Sequence, residues 1–187
     1  MHPPRQGAPP RAAKASHRDP SGPAYDLLHE LDGAIEIRRY APYAVAEVFV
    51  AGPADTAAPR ALQILVGYLA GANLGERTIA RTAPVTQSAL DGGTLVRLAL
   101  PQGVTPATAP VPTDSRVVRR ELAGHTLAAI RYPGRWSPAH DRAQFERLTA
   151  VLRAARMTWA GEPRYARYNG PWSPWFLRRN EVWLRLS

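Results

Sequence analysis

Residues 165–186 hold the densest chemistry in the chain: Tyr165, Tyr168, Trp172, Trp175, Phe176 and Trp183, with Arg167, Arg178 and Arg179 among them and Arg164 just before. Aromatic faces beside guanidinium groups suit a flat, apolar ligand with anionic edges. The competing reading is structural, with tryptophans capping a core and arginines forming a solvated rim. The centre, Asn169-Gly170-Pro171-Trp172-Ser173-Pro174-Trp175, fits neither a helix nor a ladder strand. Its two prolines remove donors and push the residues before them to extended geometry. A stiff aromatic loop is therefore expected between strands at 164–168 and 180–186.

Other chemistry is thin. There is no Cys, so thiolate ligands, disulfides and Cys nucleophiles are excluded. His2, His17, His29, His125 and His140 are scattered without helical i, i+4 spacing, which argues against a protein metal cage. His29 and His125 read as satisfied strand histidines and His140 as solvated. Glu30, Asp32 and Glu36 cluster near a turn with no spacing of a catalytic pair, and read as a solvated rim. No G-x-S-x-G, Gly-rich phosphate loop or H-E-x-x-H occurs. The residues point to a binder more than to an enzyme.

Those side chains must be positioned by one compact domain, the default for 187 residues of which 45% are hydrophobic and 21% charged. The net charge of +9 is carried by arginine, since Lys14 is the only lysine. It favours anionic partners, but acidic and basic residues are interspersed rather than striped, so nucleic acid is not expected. No apolar run approaches the roughly 18 residues of a membrane span. No export signal is read at the N-terminus, which makes cytoplasm the default expectation, with a monomer as the default state. Residues 1–24, rich in Pro, Ala and basic side chains, read as a disordered tail, and 25–187 as the folded domain.

Within that domain, Tyr25–Leu31 and Ile35–Tyr40 flank an Asp32-Gly33 turn, with Ile35 and Ile37 alternating against Glu36 and Arg38 as in a half-buried strand. Further strands are expected at 44–50, 77–87, 94–100, 116–122, 125–132, 164–168 and 180–186. A helix is predicted over 57–71, capped by Asp55 or Thr56, with Ala61, Leu65 and Tyr68 facing the core. Leu62 and Val66 give it an apolar back face, which a surface helix lacks unless something covers it. A second helix is predicted over 138–157, capped by Ser137, with Phe145, Leu148, Leu152 and Ala155 on one face. Residues 101–114 read as an extended linker. The order of elements implies a duplicated β-α-β-β unit forming one curved antiparallel sheet with two helices packed on it.

Four motifs then resemble the SOUL haem-binding family over almost the whole chain beyond the tail. They are Ile35-Glu36-Ile37-Arg38-Arg39-Tyr40, Ile79-Ala80-Arg81-Thr82-Ala83-Pro84-Val85-Thr86, Leu98-Ala99-Leu100-Pro101 with Pro110-Val111-Pro112-Thr113-Asp114, and the closing Arg178-Arg179-Asn180-Glu181-Val182-Trp183. The resemblance implies an α+β fold, a distorted antiparallel β-barrel flanked by two helices. It implies non-covalent binding of haem or another porphyrin between the first helix and the loop before the last strand. Carried over by position, the helix side is Leu62, Gln63, Val66 and Gly67, and the loop side is Tyr168, Trp172, Trp175 and Arg178. Arg39 stands where some members have a proposed axial His, so no protein axial ligand is expected. Arg81 replaces a usual Met, and Gly67 lacks a cationic side chain that some members carry. The alternative readings are an effector module for amphipathic or cationic molecules, like gyrase-inhibitor-like domains, and an iron-releasing haem enzyme.

Overall fold

The computed structural model describes residues 14–17, by their backbone, together with 22–170 and 173–187. Among these, ten strands form one antiparallel sheet: β1 (Lys14–His17), β2 (Tyr25–Leu31), β3 (Ile35–Tyr40), β4 (Tyr43–Ala51), β5 (Val85–Leu90), β6 (Gly93–Ala99), β7 (Val118–Leu122), β8 (His125–Tyr132), β9 (Trp159–Arg167) and β10 (Asn180–Leu186). Their spatial order is β1-β2-β3-β8-β10-β9-β5-β6-β4-β7. Two helices, α1 (Ala54–Leu69) and α2 (Pro138–Ala154), complete the α+β fold, whose sheet curls as a distorted half-barrel. No helix among the described residues is long and apolar enough to cross a membrane.

The duplication is visible in the pairing. β4-α1-β5-β6 and β8-α2-β9-β10 each place their strands in the same relative order, and the two units meet at β5 and β9. The strand before each unit is exchanged: β3 pairs with β8, and β7 with β4. The expected match of Ile37-Arg38-Arg39 with Val118-Arg119-Arg120 is out of step by one residue: Arg38 lies opposite Leu127 on the face away from the helices, whereas Arg119 lies opposite Ala46 on the helix-covered face, so that Arg120 is the counterpart of Arg38. Asp32 and Gly33 both take positive φ (48° and 63°), the conformation of a two-residue hairpin turn.

Each helix buries an apolar stripe on the same side of the sheet. On α1, Ala57, Ala61, Leu65 and Tyr68 are buried against Ala46, Val48, Val96 and Leu98. The Tyr68 hydroxyl donates to the Pro110 carbonyl at 2.7 Å, tying the 101–114 segment over this core. On α2, Leu148 and Leu152 are buried against Ile37, Ile130, Val182 and Leu184, each worth about 1.5–3 kcal/mol of transfer free energy. Ser137 caps α2 by accepting from the His140 amide.

Several expectations need correction. Lys14–His17, inside the segment read as a disordered tail, pairs with β2. An edge strand offers bare backbone groups that a segment of any composition can bind; the rest of residues 1–21 lies outside those described. The strand expected over 77–87 begins only at Val85, because the preceding backbone is engaged elsewhere. The Ile79 amide donates to Leu69 at the end of α1, and the Asn73 side chain bonds both the amide and the carbonyl of Arg77. Helix α1 starts at Ala54 with Pro53 as N-cap and no side-chain cap, so neither Asp55 nor Thr56 holds that role. Ala155 lies exposed just past α2 rather than on its buried face. β9 begins at Trp159, well before the expected 164.

Candidate functional site

The loop between β9 and β10 is closed at its base by backbone. The Tyr168 amide donates to the Arg179 carbonyl at 3.2 Å, and the Arg179 amide donates to Asn169 Oδ1 at 2.7 Å. Within it, Trp175–Leu177 make one turn of 3-10 helix. This turn presents three consecutive apolar side chains to solvent: Trp175 (53% exposed), Phe176 (60%) and Leu177 (65%). Trp175 and Phe176 meet edge-on at 5.8 Å. Arg178 is half-buried, its Nε donating to the Ser173 carbonyl at 2.9 Å, and its guanidinium lies 5.5 Å from the ring centre of Trp136, itself exposed. Trp136 is fixed through Nε1 to Asn180 Oδ1 at 2.9 Å.

The other predicted wall is α1. Leu62, Val66 and Gly67 are half-buried and Gln63 is exposed, so the outward face of the helix is not sealed under polypeptide. A Cβ at Gly67 would meet nothing within 4 Å, which marks open space above it. Trp172 lies outside the described residues. Tyr168 is turned inward: its hydroxyl donates to Glu181 Oε2 at 3.1 Å, and the Arg179 guanidinium covers its ring at 3.8 Å. Arg39 is exposed and paired with Asp26 at 3.0 Å. Arg81 is exposed, so the charge at that position is solvated.

Sequence reasoning missed what lies on the sheet face opposite the helices. Arg38 is 1% exposed and Glu181 is fully buried. They form a bidentate pair, Nη1 to Oε2 at 2.7 Å and Nη2 to Oε1 at 3.0 Å. Glu181 also accepts from Trp183 Nε1 at 2.6 Å and from Arg179 Nε at 3.0 Å. Glu36, read as rim, accepts from Arg38 Nε at 2.6 Å and from the Tyr25 hydroxyl at 3.3 Å. Burial alone would raise the Glu181 carboxyl, but the bonds and charge of Arg38, the charge of Arg179 and the Trp183 N–H outweigh it and hold its pKa below the ordinary range. The other half repeats the theme, with Glu47 bound by Arg97 Nε at 2.6 Å and Arg120 Nε at 2.7 Å.

His125, expected to be satisfied, is not. Its Nδ1 lies 2.9 Å from the Ala123 carbonyl, which can only accept, so Nδ1 carries the proton. Its Nε2 is buried with no hydrogen-bond partner among the described residues. Tyr40 stacks on the ring at 5.6 Å and Tyr43 lies at 6.0 Å. Burial pushes the His125 pKa down; the Ala123 carbonyl works against that, while the charges of Arg164 and Arg185 add to it. The folded state therefore binds a proton less well than the unfolded chain, whose imidazole titrates near about 6.5. Stability is lost as pH falls below that value, ahead of the Glu47 and Glu181 losses, which begin as pH enters the ordinary carboxylate range and continue beneath it. Urea unfolding between about pH 7.5 and 5 should show this slope flattened in His125→Gln; identical slopes would contradict the assignment.

Comparison with known proteins agrees with this architecture. The model of the SOUL heme-binding protein family matches residues 21–185. No curated protein matches the chain. Among solved structures, the chain is similar to the C-terminal domain of EcmrR, with a TM-score of 0.62 and 11% identity over 82% of this chain and 96% of that one. A hydrolase from Listeria innocua gives a TM-score of 0.60 and 15% identity, over 82% and 91%. SAV2435 bound to tetraphenylphosphonium gives 0.50 and 12%, over 82% and 93%. At such identities the likeness speaks for the fold alone. The family match is of another order, since it spans nearly every described residue, from just ahead of β2 into β10. The chain belongs to the SOUL heme-binding protein family.

Proposed function

We propose that this protein binds haem or a related tetrapyrrole without a protein axial ligand, on a surface made by the outward face of α1 and the β9–β10 loop. Leu62, Gln63, Val66 and Gly67 form one wall; Trp175 and Arg178 form the other. Family membership supports a tetrapyrrole ligand in general. The observation that carries the location is the exposed run Trp175, Phe176 and Leu177. Contiguous apolar side chains left in water mark a surface that something else covers, and a macrocycle offers a flat apolar face of matching chemistry. The haem propionates would meet guanidinium groups, Arg178 at the loop and the exposed Arg60 on α1. Tyr168 faces Glu181 and acts from behind, holding the base of the loop.

Titrating the purified protein with hemin tests this reading. The expected result is a Soret shift that saturates near one equivalent. Free-hemin behaviour throughout would overturn it. Organic-cation binding, the second reading from sequence, needs a carboxylate able to meet the cation. Glu181 is already bound by Arg38 and Arg179, which speaks against it.

A further inference from the structure

One end of the sheet carries a bare edge. β7 pairs with β4, and among the described residues nothing pairs with its other side. The duplication supplies the comparison: β3, which holds the corresponding place in the other half, receives β2 on that edge. An unpaired edge is a template for another strand unless its sequence forbids one.

The backbone groups on offer can be assigned. The Leu100 amide donates to the Ala44 carbonyl at 2.8 Å, so Ala44 turns its backbone toward β6. Alternate residues of a strand turn theirs to opposite sides. Tyr43, Val45 and Glu47 therefore bond their opposites Leu122, Arg120 and Val118. Arg119 and Glu121 are left with their N–H and C=O groups on the free edge. Their side chains also lack partners of opposite charge. Glu121 is exposed, and among the described residues its carboxylate has no hydrogen bond or ion pair. Arg119 donates through Nη1 to the Ala109 carbonyl at 2.6 Å and meets no carboxylate among them. Val118 is 44% exposed.

We infer that β7 pairs with the β7 of a second copy of this chain, antiparallel about a two-fold axis at Arg120. In that alignment Val118-Arg119-Arg120-Glu121-Leu122 is its own complement. Val118 faces Leu122 of the second copy and Arg119 faces its Glu121, and the axis repeats each contact. Apolar and opposite-charge pairs at directly opposed positions stabilise an antiparallel pair. The outward backbone groups of Arg119 and Glu121 then meet each other, so the hydrogen-bonding pattern agrees with the side-chain pattern. Arg120 meets its own copy, but each guanidinium is already bound by Glu47 of its own chain at 2.7 Å. Charge on an edge strand keeps other strands away when it is of one sign; here the two signs flank the axis and attract. The contact is one short strand, so the dimer is weak and forms at high protein concentration. It uses none of the residues assigned to the tetrapyrrole.

Sedimentation velocity of the ligand-free protein, from about 1 μM to 1 mM in about 150 mM salt, tests the inference without long-range charge effects. A concentration-dependent dimer is expected. Glu121→Arg should weaken it by about tenfold or more, since arginine then opposes arginine on both sides of the axis. Arg119→Glu should do the same. Mixed in equal amounts, the two variants should pair again, because one then carries acids at both positions and the other carries arginines. Glu121→Arg removes no side-chain bond of the fold and should melt with the parent protein, so it reads the interface even if Arg119→Glu, which loses its bond to Ala109, melts early. A monomer up to about 1 mM, a dimer indifferent to Glu121→Arg, or folded variants that stay apart on mixing would each overturn the inference.

Discussion

Glu181→Ala should lower the melting temperature by about 6–20 °C, from a loss of about 3–5 kcal/mol for breaking a buried ion pair at about 2–4 °C per kcal/mol in a domain of this size. The cause is what remains. Arg38 is 1% exposed, and its bidentate partner would be gone. Trp183 Nε1 and the Tyr168 hydroxyl would also lose their acceptor. Glu36 still holds Arg38 Nε, so the cation is not wholly abandoned. The double variant Arg38→Met with Glu181→Leu should recover much of the loss, because it removes both charges together. Thermal unfolding followed by circular dichroism reads both. A Glu181→Ala protein that melts with the parent would show that the pair does not bear on stability.

Trp175→Ala with Phe176→Ala should weaken hemin binding by about thirtyfold or more, the cost of removing a central aromatic contact of about 2 kcal/mol. The same change should leave the melting temperature nearly unmoved. Both side chains are more than half exposed and meet each other edge-on, and surface substitutions of this kind stay within about 0.5 kcal/mol. That split separates a binding surface from a structural cap. If melting falls while hemin affinity stays, the rings belong to the fold. Leu62→Asp on α1 adds the second wall to the test, since a carboxylate there would meet the same apolar face.

Much of this fold was legible. β2, β3, β8 and β10 fall at the expected residues because β-branched alternation and the Asp32-Gly33 turn leave little choice of register. The Ala61, Leu65, Tyr68 stripe was legible for the same reason at helical spacing. What failed has a common cause. Period two along β3 separates Ile35 and Ile37 from Glu36 and Arg38, but says nothing about whether the second face is wet. In a strongly curled sheet both faces are closed, so Arg38 is as buried as its apolar neighbours. Its partner Glu181 lies far along the chain, and no local pattern links them. Residues 77–84 alternate like a strand, yet Asn73 and the end of α1 hold their backbone. At the loop, composition identified the aromatic cluster but could not divide it. Trp183 and Tyr168 face inward, whereas Trp175 and Phe176 face water.

The exchange of β3 and β7 between the two halves also governs how the chain can reach this state. While the polypeptide emerges from the ribosome, β4 keeps one edge bare until β7 has been made, after α1, β5 and β6. β3 likewise waits for β8. Each half pairs most of its own strands, β4 with β6 and β8 with β10, but its leading strand finds a place only in the other half, through pairings distant in sequence that form slowly. Severing the chain between β6 and β7 would yield two fragments that remain incomplete until they find each other.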